Sequence, residues 1–239
     1  MNLAIFNGSP RGSKSNTRIL VRHFMEGFVE TPGNRAEEHL LVQSSRRDEH
    51  RTAFSEAEAV ILAFPLYVHA MPGLVKHFLE GLEPRDPMDG VSLGFVVQSG
   101  FPEGHHSRWL EPWLELLPAR LGCRYLGTIV KGDVEGIQIQ PRWLTSGLFQ
   151  RFHTLGARFG QTGTFDAQLV RQLAEPEWLS RPRRAVFRVL VSTGLADLYW
   201  RTNLKKNGAW AQRFARPLEG GEEQRPGVSE AGAAAKDRR

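Results

Sequence analysis

The stretch Phe6-Asn7-Gly8-Ser9-Pro10-Arg11-Gly12-Ser13-Lys14-Ser15-Asn16-Thr17 decides how this 239-residue chain folds. It follows an apolar run at residues 3–6 and opens a helical pattern in which Leu20, Phe24 and Phe28 recur every four residues. A strand, a glycine-containing loop and a helix start direct backbone N–H groups and the positive end of a helix dipole at one point. Ser9, Ser15 and Thr17 add hydroxyl donors, and Arg11 adds a fixed cation suited to phosphate. The loop therefore reads as a phosphate site. Gly8 and Gly12 do not give the Gly-x-Gly-x-x-Gly spacing of dinucleotide folds. Lys14-Ser15 stands at the Walker distance from Gly8, but Ser13 occupies the place of the second glycine. The best buried strand, residues 59–64, runs into Pro65-Leu66-Tyr67 and brings no acidic residue to hold magnesium. A plain helix cap would need one Ser or Asn, and this loop offers several donors with a cation.

Outward from this loop, strand and helix patterns alternate. Strands are expected at residues 3–6, 36–41, 59–64, 91–98 and 125–130. Helices are expected at 17–30 and 72–83, and at 106–121, where Trp109, Leu110, Trp113, Leu114 and Leu117 would share one face. A last helical segment runs to about residue 159, and residues 46–55 read as helical or irregular. Such alternation gives an α/β fold, a doubly wound five-stranded parallel sheet with helices on both faces. Its order is expected to be flavodoxin-like, with the ligand crevice at the carboxyl ends of strands one and three.

The expected organisation is a sheet domain at 1–164, a helical extension at 165–218 and a disordered tail at 219–239. The tail has no aromatic, Leu, Ile or Met. Cys123 is the single cysteine, which excludes a disulfide framework or a four-cysteine cluster and fits a reducing, cytoplasmic setting. The chain reaches its first strand by residue 3, which leaves no room for a signal peptide. Residues 59–75 lack charge, but Pro65 and Pro72 interrupt them, so they read as a buried strand and the start of a helix. Between residues 142 and 216 there are 13 Lys and Arg against 4 Asp and Glu, in a chain of net charge +5. This asymmetry suits an anionic partner without selecting one. Residues 181–206 read as basic, half-apolar helices that pack on the core or a partner subunit, the alternative being a lipid surface. No nucleic acid is expected as partner. His105-His106 has no third ligand at metal-site spacing, so no metal site is expected; Cys123 reads as packing.

Two further loops should meet the first. Pro65-Leu66-Tyr67-Val68-His69-Ala70-Met71-Pro72-Gly73 offers an aromatic, a thioether and backbone groups freed by two prolines. Gln98-Ser99-Gly100-Phe101-Pro102 offers small residues with N–H groups and a second aromatic. Such surfaces suit a planar heteroaromatic ring. Taken together, Gly8 to Thr17, Phe64 to Val68 with Met71-Pro72-Gly73 and Lys76, and Ser99 to Glu103 resemble the NAD(P)H-dependent FMN reductase family over about residues 1–130. Residues 203–208 and 213–217 are similar to C-terminal segments of some larger members.

The resemblance implies that Ser9, Arg11, Ser15, Asn16 and Thr17 bind the phosphate of FMN. It places Pro65, Leu66, Tyr67, Val68, Ser99, Gly100 and Phe101 against the flavin ring. It implies NAD(P)H as cosubstrate, a small-molecule acceptor (quinone, azo, nitro, flavin or metal) and a homodimer, with part of the region after residue 165 at the interface. No side chain need be an obligatory catalytic acid. Residues 40–57 contain no cysteine, so this is not the iron–sulfur version of the family. The alternatives are a non-catalytic electron carrier or redox-responsive FMN-binding protein and, on the near-Walker spacing, a nucleotide phosphotransferase.

Overall fold

A computed structural model describes residues 1–194 and 197–215. The tail expected at 219–239 lies outside the described residues. Five parallel strands, β1 (Asn2–Asn7), β2 (Arg35–Leu40), β3 (Ala59–Pro65), β4 (Ser92–Gln98) and β5 (Arg124–Lys131), form one sheet in the order β2-β1-β3-β4-β5. This is the expected flavodoxin-like order, and the chain reverses its direction of travel across the sheet between β1 and β3.

Both central strands are buried on both faces, which is why they read as continuous apolar runs. Val60, Leu62 and Phe64 of β3 join Leu93, Phe95 and Val97 of β4 in a core closed by Phe54 and Val75. Ile61 and Val96 face the opposite core, where Leu20, Phe24 and Phe28 of α1 (Asn16–Phe28) meet Phe152, Leu155 and Phe159 of α6 (Arg142–Thr162). α1 and α6 approach closely at Gly156, where an added Cβ would lie 1.9 Å from the Phe24 carbonyl oxygen. The first core is covered by α2 (Arg47–Glu56), α3 (Gly73–Glu80) and α5 (Glu111–Arg120).

The single helix expected at 106–121 is broken. A short α4 (His105–Arg108) precedes α5, with Pro112 in the first turn of α5. Proline has no N–H to give the carbonyl one turn back, which is tolerated in a first helical turn, so Pro112 favours a new helix start there. Pro118, by contrast, lies inside α5 without ending it. The expected shared face is split as well. Leu114 and Leu117 are buried, whereas Trp109 and Trp113 are exposed.

The chain forms two compact units, Met1–Arg183 and a second beginning at Arg184. The first continues past residue 164 because α7 (Ala167–Ala174) buries Leu173 in the core on the α1 side of the sheet. The second contains most of α8 (Arg181–Ser192) and all of α9 (Leu198–Lys206). No described helix is long and apolar enough to cross a membrane.

Candidate functional site

Parallel strands bring their carboxyl ends to one edge of the sheet, so the loops after β1, β3 and β4 are neighbours by topology. The first is packed directly onto the core. Gly8 donates its N–H to the Ala63 carbonyl at 2.7 Å, and a Cβ there would fall 2.1 Å from Val75 Cγ2. Only glycine lets the loop lie that close. Beyond it, the Ser9 N–H bonds the Asn7 side-chain oxygen at 3.0 Å, and Gly12–Lys14 makes one 3-10 turn. Ser15 then caps α1, its Oγ accepting the Arg18 N–H at 3.1 Å.

The five residues expected at a phosphate take different places. Ser9, Ser15, Asn16 and Thr17 are buried, and Arg11 is half exposed. Ser15 Oγ also accepts from Asn7 Nδ2 at 3.2 Å, and Thr17 Oγ1 accepts from Gln98 Nε2 at 3.2 Å. Asn16 reaches across the sheet, donating to the Val134 carbonyl at 2.8 Å and accepting from Gln138 at 2.7 Å. These side chains build the loop; the outward donors are the opening amides of α1, which have no carbonyl one turn back. Arg11 Nη2 pairs with Glu135 Oε1 at 3.0 Å. An arriving phosphate would compete with that carboxylate for the guanidinium.

The second loop leaves β3 at Pro65. Leu66 remains buried and donates to the Gln98 carbonyl at 2.7 Å. Tyr67 and Ala70 exchange two backbone hydrogen bonds of 2.9 Å around Val68 and His69, both in the left-handed region at φ 50° and 58°. That conformation is costly for a β-branched residue. It leaves Val68 96% exposed and Tyr67 44% exposed at the loop tip.

The third loop fixes Ser99 between Lys131 and Val134, its N–H donating to one carbonyl and its own carbonyl accepting from the other N–H, each at 3.0 Å. Ser99 Oγ is buried with no hydrogen-bond partner among the described residues. A buried hydroxyl left unpaired is costly, and a ligand atom is one way to satisfy it. Phe101 is 45% exposed, with the His106 ring stacked on it at 4.2 Å between centroids and the His69 ring parallel at 6.3 Å. Burial chiefly, then the neighbouring His105, holds the His106 imidazole below its ordinary pKa, against the pull of Glu103.

A fourth loop, absent from the sequence reading, follows β5. Gly132, Asp133, Val134, Glu135 and Gln138 connect the other loops through the bonds to Arg11, Asn16, Ser99 and Phe101. Burial pushes the Asp133 carboxyl up and draws the Lys131 ammonium down, although the two attract each other. The signal was available. Residues 132–136, Gly-Asp-Val-Glu-Gly, end a strand as the other loops do.

The edge thus combines helix-end donors and a cation at one side with Tyr67, Phe101 and an unpaired buried hydroxyl at the other. That is the chemistry of a site for a planar ring carrying a phosphate. By contrast, a hollow of about 390 Å³ beside β2, lined by Leu3, Arg35, Ala36 and Ala57, lies near the amino ends of the strands, away from these loops.

Residues 1–117 match the family model described as NADPH-dependent FMN reductase. No match was found among curated proteins. Among solved structures, the chain resembles an FMN-dependent NADH-azoreductase from Bacillus anthracis at 14% identity and TM-score 0.53, over 67% of this chain and 100% of that one. It also resembles an NAD(P)H:quinone oxidoreductase from Methanothermobacter marburgensis at 14% identity and TM-score 0.54, over 66% and 96%. An NADPH-quinone reductase from P. pentosaceus aligns at 19% identity and TM-score 0.51, over 68% and 99%. At such identities the likeness establishes the shared fold.

Proposed function

We propose, for a chain whose residues 1–117 match the NADPH-dependent FMN reductase family model, that the loops after β1, β3 and β4 hold FMN for an NAD(P)H oxidoreductase. The FMN supplies the capacity to take a hydride from a nicotinamide and give its electrons to an acceptor. The phosphate lies at the start of α1, where the amides of Asn16 and Thr17 and the Arg11 guanidinium receive it. Ser9, Ser15 and the side chains of Asn16 and Thr17 hold that loop in shape. Pro65, Leu66, Tyr67 and Val68 line one side of the ring; Ser99, Gly100 and Phe101 line another. Ser99 Oγ donates to a polar edge of the ring.

The observation that carries this reading is the buried, unpartnered Ser99 hydroxyl beside an exposed Phe101, at the same sheet edge as the α1 N-terminus. The acceptor is a small molecule, and quinone, azo, nitro, flavin or metal compounds all fit an open edge. The enzyme works in the cytoplasm, a setting consistent with a chain whose single cysteine, Cys123, is buried. It assembles as a homodimer, for which the exposed Trp109, Trp113 and Leu116 beside the third loop offer apolar surface.

The test is the absorbance spectrum of the purified protein, followed by anaerobic mixing with NADH and NADPH. Bound yellow flavin bleached by a nicotinamide is the expected result. Protein that neither carries nor takes up FMN overturns the proposal. Light scattering checks the dimer separately.

A further inference from the structure

We propose that residues 181–194 and 197–215 are a docking surface for anionic lipid bilayers, holding the enzyme at a membrane face without crossing it. No residue of α8 is buried. Val186, Phe187, Val189, Leu190 and Val191 are each between 40% and 60% exposed. At 100° per residue these five span an arc of about 200°, with Arg181, Arg184 and Arg188 grouped beside it and Arg183 inside it at the helix start. In α9, Leu198 and Trp200 are exposed and Lys205 and Lys206 end the helix. Arg213 then lies over the rings of Trp210 and Phe214, at 4.2 and 4.8 Å, with Phe214 82% exposed. Eight Lys and Arg occur between residues 181 and 215, against Asp197 as the only acid.

Charge and shape together select the occupant. A symmetric contact with a second copy through this face would set the eight cations against the same eight. A nucleic acid would satisfy the cations but leave the row of Val and Leu in water. A bilayer interface satisfies both, since the aliphatic row enters the acyl boundary, the aromatics sit at headgroup level and the cations meet anionic lipid. Spanning is excluded for α8. Its 12 residues reach about 18 Å against a hydrocarbon core of about 30 Å.

The experiment is cosedimentation of the full chain with vesicles of phosphatidylcholine alone or mixed with phosphatidylglycerol. Binding to the mixed vesicles only, weakening as salt rises, is the expected result. Changing Arg181, Arg183, Arg184 and Arg188 together to Gln should lower the partition at least about tenfold, since one cation at an anionic surface contributes roughly fivefold. Phe187→Glu with Leu190→Glu should abolish it while circular dichroism and thermal midpoint stay unchanged, because both side chains are exposed. The proposal falls if neutral and anionic vesicles bind equally or the glutamate variant binds as well as the parent. It also falls if that variant splits a dimer in vesicle-free solution, or if duplex DNA binds through the four arginines and vesicles do not. None of these outcomes depends on flavin content, so the inference and the reductase reading fail separately.

Discussion

Helices α6 and α8 are both amphipathic, yet α6 buries Thr145, Phe152, Leu155, Gly156 and Phe159 while α8 buries nothing. The difference lies in the backbone fit. α6 carries Gly156 where α1 crosses it, and Phe159 stacks on Phe28 at 5.6 Å. α8 has no glycine, and its apolar row is made of bulky side chains with arginines alongside. An apolar period shows that a face needs cover. A residue too small for any other purpose shows that the cover is permanent and belongs to the same fold.

The sharpest way to break this comparison is to cut one aromatic from each helix. Phe159→Ala should cost about 3–5 kcal/mol of stability, the usual penalty for emptying a buried aromatic site. Phe187→Ala should stay within about 0.5 kcal/mol in vesicle-free buffer. Equal losses in urea titration would mean that α8 has a permanent partner after all. Gly156→Ala tests the contact from the other side, with an expected loss of about 1–3 kcal/mol or more from overpacking against α1.

The site itself offers the next contrast, between charge and scaffold. Arg11→Ala should weaken FMN binding by about 1.5–3 kcal/mol, as loss of a charge-assisted bond does, with little effect on folding. Ser15→Ala should instead lower stability by about 1 kcal/mol through loss of the α1 cap. Fluorescence titration of FMN and thermal melts of both variants separate the two roles.

A gentler test concerns pH. His39 and His50 are buried against Phe6, and burial chiefly holds both imidazoles below their ordinary value. The unfolded chain therefore binds more protons than the folded one below about pH 6.5. Their contribution is complete above that value and is lost as pH falls toward the folded values. Melting temperatures should be level near neutrality and decline on acidification, and His50→Phe should flatten the decline. The smallest expected effect is at the second loop. Val68→Gly should be neutral or stabilising by up to about 1 kcal/mol in melts, because glycine accepts φ 50° at no steric cost.

Most of the sheet was legible because β3 and β4 are buried on both faces and read as apolar runs bounded by turn residues. The loop at 8–17 was legible for a different reason, since glycine, hydroxyl and arginine have few other uses between a strand and a helix. The place of the fourth loop was legible from its glycines at a strand end, but its role was not. Glu135 and Gln138 matter through partners more than a hundred residues away, and no local pattern reports such a contact. Thr17 was picked out as a ligand from its hydroxyl and Asn16 through the family resemblance, yet their side chains are committed to Gln98 and Val134. The break before Pro112 could not be read from proline alone, since Pro118 lies inside the same helix and does not end it.

Gly8 has a consequence for how such a chain can change over generations. With Val75 Cγ2 only 2.1 Å from where a Cβ would be, positions 8 and 75 are effectively one choice made twice. A lineage cannot acquire a side chain at 8 without first shrinking or moving α3, and an intermediate with only one of the two changes would be selected against. Variation at this loop should therefore arrive in pairs, and an engineer who wants a different anion here should redesign α3 before touching the loop.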